Sequence, residues 1–253
     1  VDLEPKLSNN DLHIIISFKQ IDKYREKNLI TVIEHLLRFA SRKVEIMLVE
    51  GISSGSKPLN HNFDSRVRHE VYPTEMNVFN KCKLYNYAVS LLDSNVLIAF
   101  HDSDLLIDLD ALEGSVQLIE EKRAKVSQPY SDQSFLEQNK DCGLLTGRPQ
   151  LPICGGITVM SKYFLQYIGG WLEDFEGHGG EDSTMDYIIS RFKFKTLRLD
   201  GNCLHLWHPI ISRDINENVN NEQILRKVFE FNNEDLVAFV KDTRKKYKEK
   251  YGY

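Results

Sequence analysis

Short apolar runs rich in β-branched residues alternate along the chain with segments whose apolar residues recur at helical spacing. The runs that predict buried strands are 13–18, 44–49, 66–72, 96–100 and 157–160. The segments with helical spacing are 29–40, 79–92, 110–126 and 182–192. Strands that alternate with helices predict an α/β fold, in which the opening strand–helix–strand unit is parallel with a right-handed crossover.

The second half of the chain is less regular. Residues 127–152 contain three prolines and no clear period, which predicts a long loop of the kind that often serves as a lid or a binding loop. Residues 197–207 predict one more strand, and residues 220–251 predict a charged helical tail that is lysine-rich at its end. We therefore expect one domain over residues 1–212, with a helical C-terminal extension, 213–253, packed on it.

Composition narrows the class of protein and of partner. The net charge of -5 gives no basic surface for a nucleic-acid backbone, so nucleic acid is not an expected partner. The four cysteines show no CxxC spacing, which favours free thiols and a cytoplasmic location but leaves two disulfides open. No run approaches the ~20 apolar residues of a membrane span. Because the chain begins without Met, a longer protein with an anchor or another domain is left open.

An acidic triplet follows one of the predicted strands directly. Asp102, Ser103 and Asp104 come after the apolar run 96–100, at the carboxyl end where an open α/β sheet binds ligands. Two carboxylates at this position can hold Mn²⁺ or Mg²⁺ against a diphosphate leaving group. The alternative is an ordinary acidic surface loop, because a DxD triplet alone is short.

A glycine-rich loop delivers two acids to the start of a predicted helix. The sequence Gly-His-Gly-Gly-Glu-Asp occupies residues 177–182. Glycines allow such a loop to close over a donor while Glu181 or Asp182 deprotonates an attacking hydroxyl. The alternative is a common turn in which both acids help the helix to start.

Two histidines follow the last predicted strand. His205 and His208 lie three residues apart, and imidazole nitrogen is a good ligand for Mn²⁺ or Zn²⁺. The alternative is that one or both are packed polar side chains. We expect at least one to be a ligand, because it would complete an acid-plus-imidazole metal site.

Several separated segments resemble those of one enzyme family. Residues 79–86, FNKCKLYN, resemble an FNRAKLLN segment, and residues 102–105, DSDL, resemble DVDL. Residues 155–182 are similar, in order and spacing, to a GG...SK...NGF...GWGGED block, and His208 falls in place of the histidine of MIRH. The family is the inverting β-1,4-galactosyltransferases, together with related galactosaminyl- and chondroitin-type transferases. The resemblance covers most of residues 11–209 and implies a GT-A fold, a Rossmann-like mixed sheet flanked by helices.

The resemblance also implies roles for individual residues. Asp182 matches the catalytic base, with Glu181 beside it. Asp104 and His208 match ligands of Mn²⁺ (or Mg²⁺), and His205 falls where the family has a methionine ligand. The residues implied to bind the UDP-sugar donor are Ser17, Phe18, Lys19, Glu50, Phe79, Lys81, Asp102, Ser103, Asp104, Gly156, Trp171 and His178.

The sequence departs from the family at two points. His178 stands where the family has the tryptophan of GWGGED, and Ser183 and Thr184 replace the acids that follow this motif. We expect an inverting transfer of a hexose or N-acetylhexosamine from a UDP-sugar to a glycan hydroxyl, with the sugar and the acceptor left open. A non-catalytic nucleotide-sugar or glycan binding module in a polysaccharide-synthesis complex is the alternative. A metal-dependent hydrolase would need a denser ligand cluster.

Overall fold

The computed structural model describes residues 5–8, 11–74, 79–92, 95–136, 154–177, 179–209 and 215–252, without the side chains of 215–218. The strands are β1 (Leu12–Phe18), β2 (Val44–Ser53), β3 (Val67–Thr74), β4 (Leu97–His101), β5 (Leu105–Ile107), β6 (Val126–Gln128), β7 (Asp132–Phe135), β8 (Ile157–Ser161), β9 (Thr196–Arg198) and β10 (Asn202–His205). The helices are α1 (Lys23–Leu36), α2 (Lys81–Ser90), α3 (Leu109–Glu120), α4 (Lys162–Tyr167), α5 (Glu181–Arg191), α6 (Ile215–Glu230) and α7 (Asn233–Tyr251).

The main sheet is mixed, as expected, and its strand order contains a change of direction beside β1. Its seven strands run in the order β3-β2-β1-β4-β8-β6-β9. The first four are parallel, which confirms the parallel opening unit, and β8 runs antiparallel to both β4 and β6. The chain leaves β1 toward β2 and β3 and then returns to the other side of β1 as β4. This change of direction is a topological switch point, beyond which open α/β sheets bind ligands.

Both faces of the main sheet are buried, which explains why its central strands are continuous apolar runs. Ile14 and Ile16 of β1 pack in one core cluster with Leu29 of α1. Ile15, between them, points to the opposite face and packs in the second cluster with Leu84 of α2. The alternation of side chains along a strand therefore assigns α1 and α3 to one layer and α2, α5, α6 and α7 to the other.

A second, three-stranded sheet has the order β5-β10-β7. In it β10 pairs antiparallel with β5, so that His205 lies opposite Leu105, and pairs parallel with β7. This pairing brings a strand from the C-terminal part of the chain beside the residues that directly follow the acidic triplet.

Three expectations about individual elements were wrong. The expected loop 127–152 contains most of β6 and all of β7, and its residues 137–152 lie outside the described part of the chain. Residues 197–207 form parts of two strands in different sheets rather than one. The helix expected over 110–126 ends at Glu120, because Lys122 adopts a left-handed backbone conformation with φ 57°. The strands β6 and β7 are three or four residues long and largely polar, so neighbouring strands, not an apolar run, define them.

The tail is helical, as expected, and is divided into two helices, α6 and α7. The break falls at Asn232, whose side chain accepts hydrogen bonds from the backbone N–H groups of Glu234 and Asp235 and so caps α7. Tyr247 of α7 is buried against the domain, and its hydroxyl donates to the carbonyl oxygen of Trp171 at 2.8 Å. None of the described helices has the length and apolar character needed to cross a membrane.

Candidate active site

The acidic triplet lies at the carboxyl end of β4, next to the switch point. The backbone N–H of Asp102 donates to the carbonyl oxygen of Gly156 at 3.0 Å, which ties the triplet to the start of β8. Asp102, Ser103 and Asp104 are all partly exposed. The triplet is therefore fixed at its first residue and accessible to a ligand, at the place that the sequence predicts.

Asp104, His205 and His208 converge on one point. Their ligand atoms all lie within 4.8 Å of one another. The Nε2 atom of His208 is 3.1 Å from Oδ2 of Asp104, and that of His205 is 3.8 Å away. The pairing of β10 with β5 produces this arrangement, and the N–H of Leu206 adds a 2.8 Å hydrogen bond to the carbonyl oxygen of Asp104.

The three side chains form a set that suits a divalent cation. One carboxylate oxygen and two imidazole nitrogens are the ligands that manganese and related metals take in proteins. Burial raises the pKa of Asp104, but the His208 hydrogen bond and nearby positive charge outweigh burial and hold this pKa below its usual range. Burial lowers the pKa of His205, whereas the hydrogen bond to Asp104 raises that of His208. The residues present therefore fit a bound transition-metal ion such as Mn²⁺, and fit Mg²⁺, which prefers oxygen ligands, less well.

Helix α1 supports the segment that carries His208. The side-chain N–H of Asn28 donates to the carbonyl oxygen of Trp207 at 3.1 Å. The ring of Tyr24 packs edge-on against that of Trp207, with centroids 5.1 Å apart. Contacts of this kind behind a metal site hold its ligands in place, and metal affinity commonly depends on them.

The second part of the site is built around one largely buried lysine, whose side chain is 12% exposed. The ammonium of Lys81 lies 3.1 Å from Oε1 of Glu181 and 3.1 Å from Oδ1 of Asp182. It also lies 3.7 Å from Oδ1 of Asp102, the first acid of the triplet. A residue at the start of α2 thus joins the acidic triplet to the two acids at the start of α5.

Three carboxylates around one ammonium perturb one another. Burial raises the pKa of Asp182, and the negative charges of Glu181 and Asp102 raise it further, so that it reaches about 7 despite the opposing effect of Lys81. Burial opposes the charge of Lys81, but the surrounding carboxylates dominate and raise the pKa of this ammonium well above its usual range. Lys81 is therefore a permanent cation, and Asp182 titrates near neutral pH.

Helix α2 contributes a second group one turn after Lys81. The hydroxyl of Tyr85 reaches Oδ1 of Asp102 at 3.5 Å and hydrogen-bonds the Ser17 side chain. The Tyr85 ring packs against Phe100 and Trp171. Ser17, predicted as a donor contact, is thus connected with the acidic triplet through Tyr85.

The other residues that were predicted to bind the UDP-sugar lie at the carboxyl ends of the first two strands. Phe18, the last residue of β1, pairs with Glu50 of β2, and both are buried; Lys19 follows and is partly exposed. Oε2 of Glu50 accepts from the N–H of Leu59 at 2.9 Å and lies 3.0 Å from Nε2 of His69. Oε1 of Glu50 is buried without a hydrogen-bond partner in the described part of the chain.

The remaining residues that were predicted to bind the UDP-sugar do not share one location. The carbonyl oxygen of Phe79 accepts from the N–H of Gly177 at 2.7 Å, which brings the start of α2 to the glycine-rich loop. Gly156 has φ 75° and supports Asp102 through its carbonyl oxygen. Trp171 is only 1% exposed, so its ring lies behind Tyr85 rather than on the open surface of the site. His178 lies outside the described residues.

Two residues of the site were missed in the sequence. Tyr85 lies inside the FNKCKLYN segment, where helical spacing from Lys81 could have indicated a shared face. Arg25 of α1 acts electrostatically on Asp104 and His208, and its Nε atom is buried without a hydrogen bond among the described residues, 3.6 Å from Oδ2 of Asp22. Only an Asp-x-x-Arg spacing in the chain pointed to this arginine.

Comparison with known proteins establishes the class of fold. No family model matches the sequence, and no curated protein matches it. Solved structures do match: they are glycosyltransferases, and the seven-stranded mixed sheet flanked by helices is their GT-A fold.

Three of these structures illustrate the likeness. The catalytic domain of Drosophila β1,4-galactosyltransferase 7 with xylobiose is 13% identical, with a TM-score of 0.56 over 85% of this chain and 80% of that one. A mutant of that enzyme with manganese, UDP-Gal and xylobiose is 14% identical, with a TM-score of 0.51 over 75% and 65%. GalNAc-T7 with UDP, GalNAc and Mn²⁺ is 13% identical, with a TM-score of 0.63 over 95% of this chain but 55% of that one.

Proposed function

We propose that the protein is a metal-dependent inverting glycosyltransferase that moves a hexose or N-acetylhexosamine from a UDP-sugar to a sugar hydroxyl of a glycan acceptor. The observation that carries this proposal is the position of Lys81, within ion-pair distance of both Asp102 and Asp182. The group expected to hold the leaving diphosphate and the group expected to activate the acceptor therefore face one another across a single cation. The manganese, UDP-Gal and UDP named for the similar structures support the same chemistry.

Asp104, His205 and His208 would hold the Mn²⁺ or Mg²⁺. When bound, such an ion neutralises the negative charge that develops on a departing UDP. The chain's own residues support the proposal through the common position of one carboxylate oxygen and two imidazole nitrogens.

Positive side chains would bind the donor diphosphate beside this site. Arg25 is suited to the task because its Nε–H has no hydrogen-bond partner among the described residues, and a guanidinium makes strong, directional hydrogen bonds to phosphate. Further contacts with the UDP-sugar would come from Lys81, Lys19, Phe79 and Ser103.

An Arg25→Gln variant should bind UDP at least about tenfold more weakly in calorimetry, as loss of a charge-assisted hydrogen bond implies. An Arg25→Lys variant should lose less.

Glu50 would meet the uridine part of the donor. Its Oε1 atom is a buried acceptor without a described partner, and such atoms are uncommon unless a ligand or water completes them. An N–H of uracil or a ribose hydroxyl supplies the hydrogen-bond donor that this oxygen atom lacks. His69 would hold the other carboxylate oxygen in place.

Asp182 would act as the general base. Its side chain is partly exposed, at 24%, and a pKa of about 7 lets it take up a proton from an acceptor hydroxyl near neutral pH. Displacement of UDP from the opposite face would invert an α-linked donor to a β-linked product. Glu181 lies deeper, beside Lys81, and would set the charge around the base.

We also propose that residues 1–212 form the GT-A domain and residues 213–253 a helical extension packed on it. The contacts of Tyr247 with the backbone of Trp171 and Glu173 support this arrangement. A cytoplasmic location is proposed on the buried free thiols of Cys82, Cys154 and Cys203.

The decisive experiment separates transfer from binding and from hydrolysis. UDP is titrated with and without Mn²⁺, and UDP release is then followed for UDP-Gal, UDP-GalNAc, UDP-Glc and UDP-GlcNAc with a panel of glycan acceptors. We expect acceptor-dependent release and a β-linked product by NMR. Binding without release would support the non-catalytic binding module, and release that ignores the acceptor would indicate a hydrolase. An α-linked product would contradict the inverting mechanism.

A further inference from the structure

The glycine-rich loop before α5 is held by one buried asparagine of the C-terminal extension. Asn221 of α6 is only 4% exposed. Its Oδ1 accepts from the N–H of Glu176 at 3.2 Å, while its Nδ2 donates to the carbonyl oxygens of Glu176 at 2.7 Å and Gly179 at 3.0 Å. A single side-chain amide therefore binds the loop backbone at Glu176 and at Gly179, on the two sides of residue 178.

The same loop is fixed from its other side and at its exit. The N–H of Gly177 donates to the carbonyl oxygen of Phe79, and the next anchored residue, Gly179, leads directly to Gly180. Gly180 has φ 100°, and a Cβ atom there would lie 2.6 Å from a ring carbon of Phe175. The backbone on the two sides of residue 178, at residues 176–177 and 179–180, is thus held by several contacts.

Helix α5 is also fastened to the extension at its far end. The hydroxyl of Tyr187 donates to the carbonyl oxygen of Phe229, the penultimate residue of α6, at 3.0 Å. The loop that precedes α5 and the C-terminal half of α5 are therefore both tied to α6. Two residues outside the 1–212 segment, Asn221 and Phe229, thus contact the loop and the helix that carry Asp182.

We propose that Asn221 is a positioning residue for Asp182, and that the C-terminal extension is in this way part of the catalytic apparatus. This inference rests on the proposed function, in which Asp182 is the base. Asn221 acts through the loop 176–180 and touches no substrate. A displacement of about 1 Å at a reacting group can cost about 10²-fold in rate, so a side chain that fixes this loop affects the chemical step.

The test compares two neighbouring asparagines of the same helix. Asn221→Ala removes the loop contacts, whereas Asn220→Ala removes an exposed side chain and serves as the matched control. Asn221→Asp retains the size and the Oδ1 acceptor but cannot donate when ionised, which separates loss of the hydrogen bonds from loss of packing. Amide hydrogen exchange of the 174–182 segment is measured without ligand, and kcat and donor KM are measured with the best donor and acceptor.

We expect faster exchange in the 174–182 segment and a fall in kcat of about 10- to 100-fold in both Asn221 variants, with a donor KM within about twofold. Asn220→Ala should match the wild type in every measurement. Unchanged exchange, or faster exchange with an unchanged kcat, would overturn the inference and leave the proposed function intact. A donor KM that rises while kcat is constant would also overturn it.

A wild-type protein that binds UDP and Mn²⁺ without turnover would contradict the proposed function separately. The positioning role is then decided by carbon-13 NMR titration of the Asp182 carboxyl group, assigned with Asp182→Asn. We expect this carboxyl's pKa to move in Asn221→Ala and to stay at its wild-type value in Asn220→Ala. An identical pKa in all three proteins would overturn the inference.

Discussion

The ammonium of Lys81 lies 3.1 Å from Oδ1 of Asp182, a residue 101 positions later in the chain. This contact joins the start of α2 to the start of α5 in an environment where burial disfavours charge. Asp182 keeps a raised pKa of about 7 because burial and two neighbouring carboxylates outweigh this one cation. The contact therefore lowers the pKa of the proposed base, and burial and the two carboxylates raise it by more.

The first prediction follows from that pKa. Asp182 must be ionised to accept a proton, so kcat/KM should rise with pH and level off above an apparent pKa of about 7. Asp182→Asn should lower kcat by about 10²- to 10⁴-fold and abolish this acid limb, while affinity for UDP changes little. Steady-state rates from pH 5.5 to 9 measure both. A profile in the variant that keeps the same limb would assign the titration to another group.

A second prediction uses the two neighbours of Asp182 with opposite charge. Lys81 stabilises the ionised carboxylate, so Lys81→Met should move the acid limb to higher pH. Glu181 disfavours ionisation, so Glu181→Gln should move the limb to lower pH. The direction of each shift is the measurement, because both substitutions can also change KM. Shifts of the same sign in both variants would contradict the charge arrangement around Asp182.

The central strands could be predicted because their apolar runs are buried on both faces of the sheet. The runs ending at Phe18 and Phe100 place the carboxyl ends of β1 and β4, and with them the acidic triplet, correctly from the pattern alone. The polar strands β6 and β7 could not be found in this way, since pairing with distant strands defines them. The break at Asn232 was visible in principle, because an asparagine followed by Glu234 and Asp235 is a common start of a helix.

A third prediction concerns the metal ligands. Asp104→Ala should abolish the Mn²⁺-dependent part of UDP binding, because it removes the only carboxylate of the described ligand cluster. His205→Ala and His208→Ala should each weaken it by at least about tenfold. Asp110→Asn, an exposed change in the first turn of α3, is the control and should bind UDP and Mn²⁺ like the wild type. Calorimetry with and without Mn²⁺ makes the comparison. Wild-type binding by Asp104→Ala would show that the cation is held elsewhere.

The candidate site residues could be predicted only where the acidic or imidazole side chains lie close together in the sequence. The acidic triplet, the two histidines and the Glu-Asp pair are each continuous in the sequence, and their residue types indicate ligands or acids. The triplet and the Glu-Asp pair meet at Lys81 because the start of α2 lies beside the start of α5, which no local pattern reports. The two histidines reach Asp104 through the pairing of β10 with β5. Arg25 was missed for the same reason, because its place beside Asp104 depends on how α1 packs near β5.

The last prediction concerns Gly156, which supports the acidic triplet from β8. Its φ of 75° is left-handed, and a Cβ atom there would lie 2.1 Å from the Tyr130 hydroxyl oxygen and 2.8 Å from Cδ1 of Leu105. Tyr130 is buried and bonded to the carbonyl oxygen of Gly155 at 2.8 Å, so it cannot move aside freely. Gly156→Ala should therefore be destabilised both by backbone strain and by overpacking.

Gly55 provides the control for this substitution, because it also has a positive φ, 83°, but a Cβ atom there meets nothing within 4 Å. Gly55→Ala should lose about 1–2 kcal/mol of unfolding free energy from the left-handed backbone alone. Gly156→Ala should lose about 1–3 kcal/mol more, the usual cost of overpacking a core. Urea unfolding measures the difference.

Gly156→Ala should also bind UDP and Mn²⁺ more weakly, because the Asp102 N–H donates to the Gly156 carbonyl oxygen, while Gly55→Ala should not. Equal losses of stability in the two variants, with equal UDP binding, would mean that Gly156 serves the backbone turn alone and does not support the acidic triplet.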